Sequence, residues 1–277
     1  MTKAGIENIT ELRSLSTRAI YEIYNESSRF GFPLVIDGYF LPKSLTEIFE
    51  SKEQAQIPLL AGWNSAEILG IAYMQGQPFT PEAFITRTKQ TYPEDFETAL
   101  ALHPHKTSAE VERSATDLAA DRFIAYSTWK WLDLHKKNSN QPTYRYLYSK
   151  LRPSLVDKNL ATGLAGGTVK ADNTAPQPKA MGAPHAYEIE YAMGNLERVT
   201  EFAWTTYDFK VSETMLNYFA NFIKYGNPNG ENLPQWDAMN ASDDEPAVMI
   251  IDTESKQIKS NSEKRYQFHD NVFSEVK

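Results

Sequence analysis

Hydrophobic residues recur every three or four positions in several segments of this chain, which is the spacing of an amphipathic helix. Between residues 11 and 28 this spacing predicts one helix, with Thr10 as its cap. The same spacing predicts three further helical segments, over residues 45–51, 81–137 and 211–225. Pro93 and Pro104 interrupt the second of these segments, and Gly226 ends the last.

Short, continuous apolar runs indicate strands that are buried on both faces. They occupy residues 57–61, 144–149 and 247–251, and β-type runs also flank the turn residues Asp37 and Gly38 within residues 33–42. Because long helical stretches separate these strands, the pattern favours an α/β fold. Residues 154–184 are rich in glycine and proline, so we expect them to form a flexible loop, and the residues after 251 read as a polar tail.

Composition excludes several classes of protein. The 277 residues are 41% hydrophobic, enough for a sizeable core, and carry a formal charge of −8 without a basic run, which disfavours nucleic-acid partners. No apolar stretch approaches the roughly 18 residues that a membrane helix needs. The first twelve residues contain no secretory leader, and the early helix suggests a chain that begins inside a larger fold.

Familiar nucleotide and metal motifs are absent from the sequence. It contains no Gly-x-x-x-x-Gly-Lys loop, no Gly-x-Gly-x-x-Gly fingerprint and no His-Glu-x-x-His helix. His103 and His105 are close along the chain, but a proline separates them and no third ligand is nearby, so an ordinary solvated loop explains them better than a metal site. We therefore expect neither a cofactor nor a metal.

Two short segments carry candidate chemistry. Glu67 follows the first predicted strand within Gly62-Trp-Asn-Ser-Ala-Glu67, and His185 lies in a Gly/Pro loop after the next strand. Taken singly, the first reads as a solvated carboxylate and the second as a surface histidine. Together they have the chain order of the acid and the histidine in α/β-hydrolases, where each follows the carboxyl end of a strand.

Five stretches make the likeness more specific: residues 33–42, 62–67, 144–148, 182–191 and 221–236. On these stretches the chain resembles the C-terminal half of a type-B carboxylesterase, the family of para-nitrobenzyl esterases and cholinesterases. The resemblance covers about residues 5–273 and implies a truncated α/β-hydrolase fold, the C-terminal part of its sheet with flanking helices. Residues 1–277 would then form a single portion of that domain.

Site roles follow from the resemblance. It implies that Glu67 is the acid and His185 the base of a Ser-Glu-His triad. Glu188, three residues after the histidine, is either a partner that steadies this loop or a solvated carboxylate. The substrate would be a small carboxylic ester.

The chain also departs from the family pattern. Ala66 and Ile68 stand where the family usually has an acidic residue and a glycine. No serine lies in a Gly-x-Ser-x-Gly elbow, and the positions of Ser65 and Ser212 suit neither to replace it. We therefore expect no nucleophile in this chain and no activity from it alone.

A fold cut in this way would leave an unpaired sheet edge, so we expect the chain to bind a missing N-terminal half, to self-associate or to be marginally stable. Two other functions stay open. The first is a non-catalytic protein-interaction module of the same superfamily, and the second is a binding domain unrelated to hydrolases.

Overall fold

The computed structural model describes residues 5–26, 34–164, 166–171 and 180–275. The chain divides into two compact units, Met1–Leu45 and Thr46–Lys277. In the first unit, α1 (Ile9–Ser14) and α2 (Thr17–Asn25) replace the single helix predicted over residues 11–28. That prediction is wrong for its described part, and residues 27 and 28 lie outside the described residues.

The break between the two helices has a local cause. The backbone of Leu15 and of Ser16 is extended, and the Ser16 side chain accepts a hydrogen bond from the Ala19 N–H, which starts a new helix. Asn8, rather than the predicted Thr10, caps α1. Apolar periodicity continues across this break, so periodicity alone cannot reveal it.

The β-type runs predicted around Asp37 are not strands in the described residues 34–42. The Asp37 carboxylate instead accepts hydrogen bonds from the N–H groups of Tyr39, Phe40 and Leu41, which closes a turn. These bonds hold the pKa of Asp37 below its usual value. Pro33 of the predicted run lies outside the described residues. The predicted helix over residues 45–51 is confirmed as α3 (Leu45–Glu50).

The second unit contains the sheet and the helices that cover it. Its strands are β1 (Leu59–Asn64), β2 (Thr143–Tyr148), β3 (Leu160–Thr162), β4 (Thr168–Lys170), β5 (Ala247–Ile251) and β6 (Lys256–Lys259). Its helices are α4 (Gly70–Met74), α5 (Pro81–Thr91), α6 (Phe96–Leu102), α7 (Ser108–Ala120), α8 (Tyr126–Asn138), α9 (Ile189–Met193), α10 (Thr206–Tyr225) and α11 (Glu263–Glu275). A π-helical turn, Asp121–Ala125, joins α7 to α8, and a 3₁₀ turn, Leu196–Arg198, follows α9.

The main sheet has the strand order β1-β2-β5-β6, with β1, β2 and β5 parallel and β6 antiparallel. The predicted α/β fold class is confirmed. The first predicted strand, residues 57–61, is displaced, because pairing with β2 begins at Leu59 and continues to Asn64. The strands predicted at residues 144–149 and 247–251 are confirmed.

Helices cover both faces of the sheet, as its continuous apolar strands require. Trp63 on β1 packs with Trp129 of α8 in one cluster. Tyr144 on β2 packs with Met215 and Tyr218 of α10 in another. The predicted helix over Val211–Tyr225 is confirmed, and Gly226, with φ of 68°, ends it.

Four elements in two segments were missed by the sequence patterns. The predicted polar tail contains β6 and α11, and α11 is held by buried ion pairs rather than by a strong apolar stripe. Within the predicted loop 154–184, β3 and β4 form a short antiparallel pair. Residues 165 and 172–179 lie outside the described residues, and the flexibility of this segment stays a prediction. Among the helices of the described residues, none is long and apolar enough to cross a membrane.

Candidate active site

The two candidate segments meet beyond the carboxyl ends of β1 and β2, which are neighbouring parallel strands. The Ser65 N–H donates to the Tyr148 carbonyl at 2.9 Å, extending the pairing by one step. The loop that carries His185 then lies against the loop that carries Glu67. Ala66 N–H donates to the Ala183 carbonyl at 3.0 Å, and His185 N–H donates to the Glu67 carbonyl at 3.1 Å. Backbone pairing therefore sets how the two side chains approach each other.

Glu67 and His185 form a direct hydrogen bond of 2.7 Å between Oε2 and ring atom Nδ1. Because a carboxylate only accepts, Nδ1 carries the hydrogen. The Glu67 side chain is 5% exposed and the His185 side chain 30% exposed. Within the described residues, no hydrogen-bonding partner lies against Nε2 of the ring.

The environment of Glu67 is buried but not cationic. Its second oxygen, Oε1, accepts a hydrogen bond of 2.6 Å from the Asn64 N–H. Burial raises the pKa of Glu67 above its usual value near 4.5, the bonds from Asn64 and His185 oppose that rise, and Glu188 adds to it. Both oxygens of the carboxylate thus have partners that orient it toward the ring.

Asn64 and Glu188 belong to the same network. The Asn64 side-chain amide donates to Glu188 Oε2 and, at 2.7 Å, to the Pro184 carbonyl. Glu188 therefore contacts Asn64, whose backbone N–H binds Glu67, rather than the His185 ring. Sequence analysis gave Asn64 no role, although its place at the end of a strand, three residues before Glu67, was the available signal.

Ser65 and Gly182 bring the loops close together. The Ser65 hydroxyl accepts a hydrogen bond of 2.9 Å from the Ala183 N–H. A Cβ on residue 182 would lie 2.5 Å from that hydroxyl oxygen, so only glycine fits there. Ser212, the other serine considered above, is buried and donates to the Tyr191 carbonyl at 2.9 Å.

Two further residues at the site were missed by sequence analysis. The Phe123 ring meets the His185 ring edge-on, with 5.1 Å between centroids and 89° between planes. It comes from the π-helical turn, a geometry that apolar periodicity does not signal. Arg152 is buried and donates to the Ala186 carbonyl at 2.7 Å and to Glu190 at 2.6 Å, which secures the backbone just after His185.

The histidine pair considered as a weak metal candidate is built differently. His103 is buried, so its solvated-loop interpretation is wrong, and burial lowers its pKa to about 4. Its Nδ1 contacts the Ala99 carbonyl, and Nδ1 of His105 contacts the His103 carbonyl, both at 2.7 Å. The described part of the chain contains no group of three or more His, Cys, Asp or Glu side chains arranged to hold a metal ion.

The sequence matches the Carboxylesterase family over residues 2–269. The chain belongs to the carboxylesterase family. It is 29% identical to liver carboxylesterase 1 of Oryctolagus cuniculus over 74% of its own length and 35% of that protein. It is 27% identical to the medium-chain fatty acyl-CoA hydrolase precursor of Anas platyrhynchos, over 84% of this chain and 40% of that protein.

Comparison with solved structures gives the same fold. A structure of PNB esterase matches with a TM-score of 0.63 and 19% identity, over 96% of this chain and 51% of that chain. The mixed sheet of this chain, with its flanking helices, is of the α/β-hydrolase type that the sequence predicts. The carboxylesterase-family chain thus spans about half of PNB esterase and 35–40% of these two curated relatives.

Proposed function

We propose that these 277 residues supply the acid and the base of a carboxylic-ester hydrolase that works by a Ser-Glu-His mechanism. The observation that carries the proposal is the 2.7 Å hydrogen bond from Nδ1 of His185 to buried Glu67. The His185 ring is still partly exposed. A histidine held in this way presents Nε2, unprotonated, to a reacting hydroxyl.

The proposed chemistry divides into two transfers. Nε2 of His185 takes the proton of a serine hydroxyl as its oxygen attacks the ester carbonyl, and then gives that proton to the departing alcohol oxygen. Water next attacks the acyl-enzyme, with Nε2 again taking and returning a proton, which releases the acid. Glu67 stays ionised throughout and stabilises the imidazolium. Asn64 and Glu188 position the acid.

The proposal assigns the nucleophile and the oxyanion hole to a polypeptide segment outside these 277 residues. None of the serines lies in a Gly-x-Ser-x-Gly elbow. Removal of a triad serine costs roughly six powers of ten in kcat. The chain alone is therefore inactive under this proposal.

The edge of β1 is where we place that segment. A groove of about 380 Å³ lies along this edge, lined by Leu60, Ala61 and Gly62. Trp131 of α8 and Ile223 of α10 form its sides and are 45% and 82% exposed. Within the described residues β1 pairs on one side only, so an added strand would find both hydrogen-bonding groups and apolar contacts. We propose that such a strand comes from a segment that corresponds to the half of PNB esterase outside the match with this chain.

Two assays on the chain alone test the inactivity. We expect no turnover of a p-nitrophenyl ester and no labelling of any serine by a fluorophosphonate probe. Turnover that survives purification and is lost in His185→Ala would contradict the missing nucleophile, as would a labelled serine.

Reconstitution tests the acid and base roles. A longer polypeptide that adds an upstream segment with a Gly-x-Ser-x-Gly elbow should hydrolyse the ester, and His185→Ala should abolish that activity. A folded but inert product would favour the non-catalytic interaction module instead. Ile223→Asp should prevent association with a separately expressed upstream segment, and sedimentation of the chain alone would reveal self-association as the other use of the edge.

A further inference from the structure

A second cavity opens close to Glu67 and His185. It measures about 380 Å³ and begins at Ile68, the residue after Glu67. Phe123, whose ring contacts His185, forms another part of its wall. The cavity is therefore separated from the histidine ring by a single side chain.

Two arginines line this cavity, and each is held in place by a tyrosine. Arg87 Nε donates to the Tyr73 carbonyl at 2.8 Å, and its guanidinium lies 5.7 Å from the Tyr73 ring centre. Arg122 donates to the Tyr92 hydroxyl at 3.2 Å and lies 5.3 Å from the Tyr92 ring centre. Both arginines keep other N–H donors for a ligand.

Neither arginine has a carboxylate partner within ion-pair distance among the described residues, and no Asp or Glu lines the cavity. Arg87 is half-buried and Arg122 is exposed, whereas the fully buried Arg145 and Arg152 are each paired with a glutamate. Burial raises the pKa of Tyr73, which also lines the cavity, and both Arg87 and Arg122 oppose that rise.

We propose that this cavity binds a carboxylate carried by the substrate, so that the ester acted on is a monoester of a dicarboxylic acid. Guanidinium groups match the geometry of a carboxylate and form charge-assisted hydrogen bonds with it. Ile68, Ala72 and Phe123 supply apolar wall for the methylene chain of such an acid, and the Phe123 ring also contacts His185. This inference rests on the proposed function, since it takes His185 as the base.

Equilibrium binding to the 277-residue chain tests the inference without requiring turnover. The probes are monoethyl adipate and its neutral isostere, ethyl 6-amino-6-oxohexanoate, compared by calorimetry at low and high salt. Two charge-assisted bonds should make the monoester bind about tenfold or more tightly, with a preference that falls as salt rises.

Matched variants locate the binding. Arg87→Gln and Arg122→Gln should each lower the affinity for the monoester about tenfold, and leave the affinity for the amide unchanged. Arg198→Gln, at an exposed arginine that lines no part of the cavity, should change neither affinity. Equal binding of the two probes, no binding of the monoester, or an equal loss in all three variants would overturn the cavity assignment. Hydrolysis of a probe during titration would contradict the inactivity of the chain instead, and product analysis separates that result from the binding comparison.

Discussion

A carboxylate stands beside a histidine in two regions of this chain, and the two pairs are built in opposite ways. One oxygen of Glu67 accepts a 2.7 Å hydrogen bond from Nδ1 of His185, and the other accepts one from the Asn64 N–H. Both oxygens of Asp121 accept hydrogen bonds from Arg265, at 3.0 and 2.8 Å, and Nε2 of His269 lies 3.6 Å from the Asp121 carboxylate. The carboxylate of Glu67 therefore binds its histidine directly, whereas the carboxylate of Asp121 binds an arginine.

The surroundings of the two histidines differ as well. The His185 side chain is 30% exposed, whereas that of His269 is fully buried and stacks on Phe273 with 5.7 Å between ring centres. In the described part of the chain, neither ring nitrogen of His269 has a hydrogen-bonding partner. A buried ring cannot exchange protons with a substrate, so the Asp121 region is structural, where it ties α11 to the π-helical turn.

The charges around the acids explain their opposite electrostatics. Arg265 holds the pKa of Asp121 down at about 2, against the desolvation that opposes it, whereas no arginine of the described residues pairs with Glu67 and burial raises its pKa. An ionised acid whose pKa is lowered on folding contributes to stability, and one whose pKa is raised on folding reduces it.

The largest effect that would test this contrast is on stability. Asp121→Ala removes two of the hydrogen bonds to Arg265, which keeps its ion pair with Asp117, so we expect a loss at the lower end of the range for a broken buried ion pair, about 3 kcal/mol. Urea unfolding should show this loss. Lys130→Ala, which removes a more exposed ion pair with Asp270, should cost less than about 1 kcal/mol. Similar losses in both variants would remove the distinction between the two regions.

Gly182→Ala tests the packing of the loops at the candidate site. The new Cβ would lie 2.5 Å from the Ser65 hydroxyl oxygen, and overpacking of this kind costs about 1–3 kcal/mol. We also expect weaker coupling between Glu67 and His185, seen as loss of the downfield Nδ1–H proton resonance. Ser65→Gly in the same chain should restore part of the stability, and a purely additive double variant would contradict the proposed contact.

Acid titration should separate the two carboxylates. Because the pKa of Asp121 is about 2 in the folded chain, against 3.8 normally, it stabilises the fold above pH about 4. That contribution, about 2 kcal/mol, is lost as the pH falls from about 4 to about 2. Glu67 has the opposite sign, since its raised pKa lowers stability as the pH rises above 4.5. In Asp121→Asn the acid-side loss should be smaller, and an unchanged loss would assign it to other groups.

The smallest expected change in stability comes from Glu67→Gln, within about 1 kcal/mol of the parent, because one neutral hydrogen bond replaces a charged one. The informative readout is the histidine tautomer. A glutamine amide can donate to Nδ1, which moves the ring hydrogen to Nε2, and ¹⁵N resonances of His185 would report it. Glu188→Gln should leave the tautomer unchanged. An unchanged tautomer in Glu67→Gln would contradict the positioning role of the acid.

Local sequence predicted much of the secondary structure and singled out Glu67 and His185 as candidates. The helix over residues 211–225 could be predicted because its apolar stripe and terminal glycine are local signals. The division between α1 and α2 could not, since Ser16 caps a helix inside an unbroken stripe. Neither could α11, whose place is set by Arg265 pairing with α7 and the turn that follows it.

By itself, the sequence determined which chemical groups are available: a glutamate after one strand, a histidine in a later loop, and no serine in an elbow. Only the tertiary structure decided what these groups face. Parallel pairing of β1 with β2 brings together loops that are distant along the chain, and the π-helical turn directs Phe123 onto the histidine ring. Hydrogen bonding and desolvation act between groups that are neighbours in space. Residue types therefore predict which functional groups are present, and the packing of the chain sets their geometry and their pKa values.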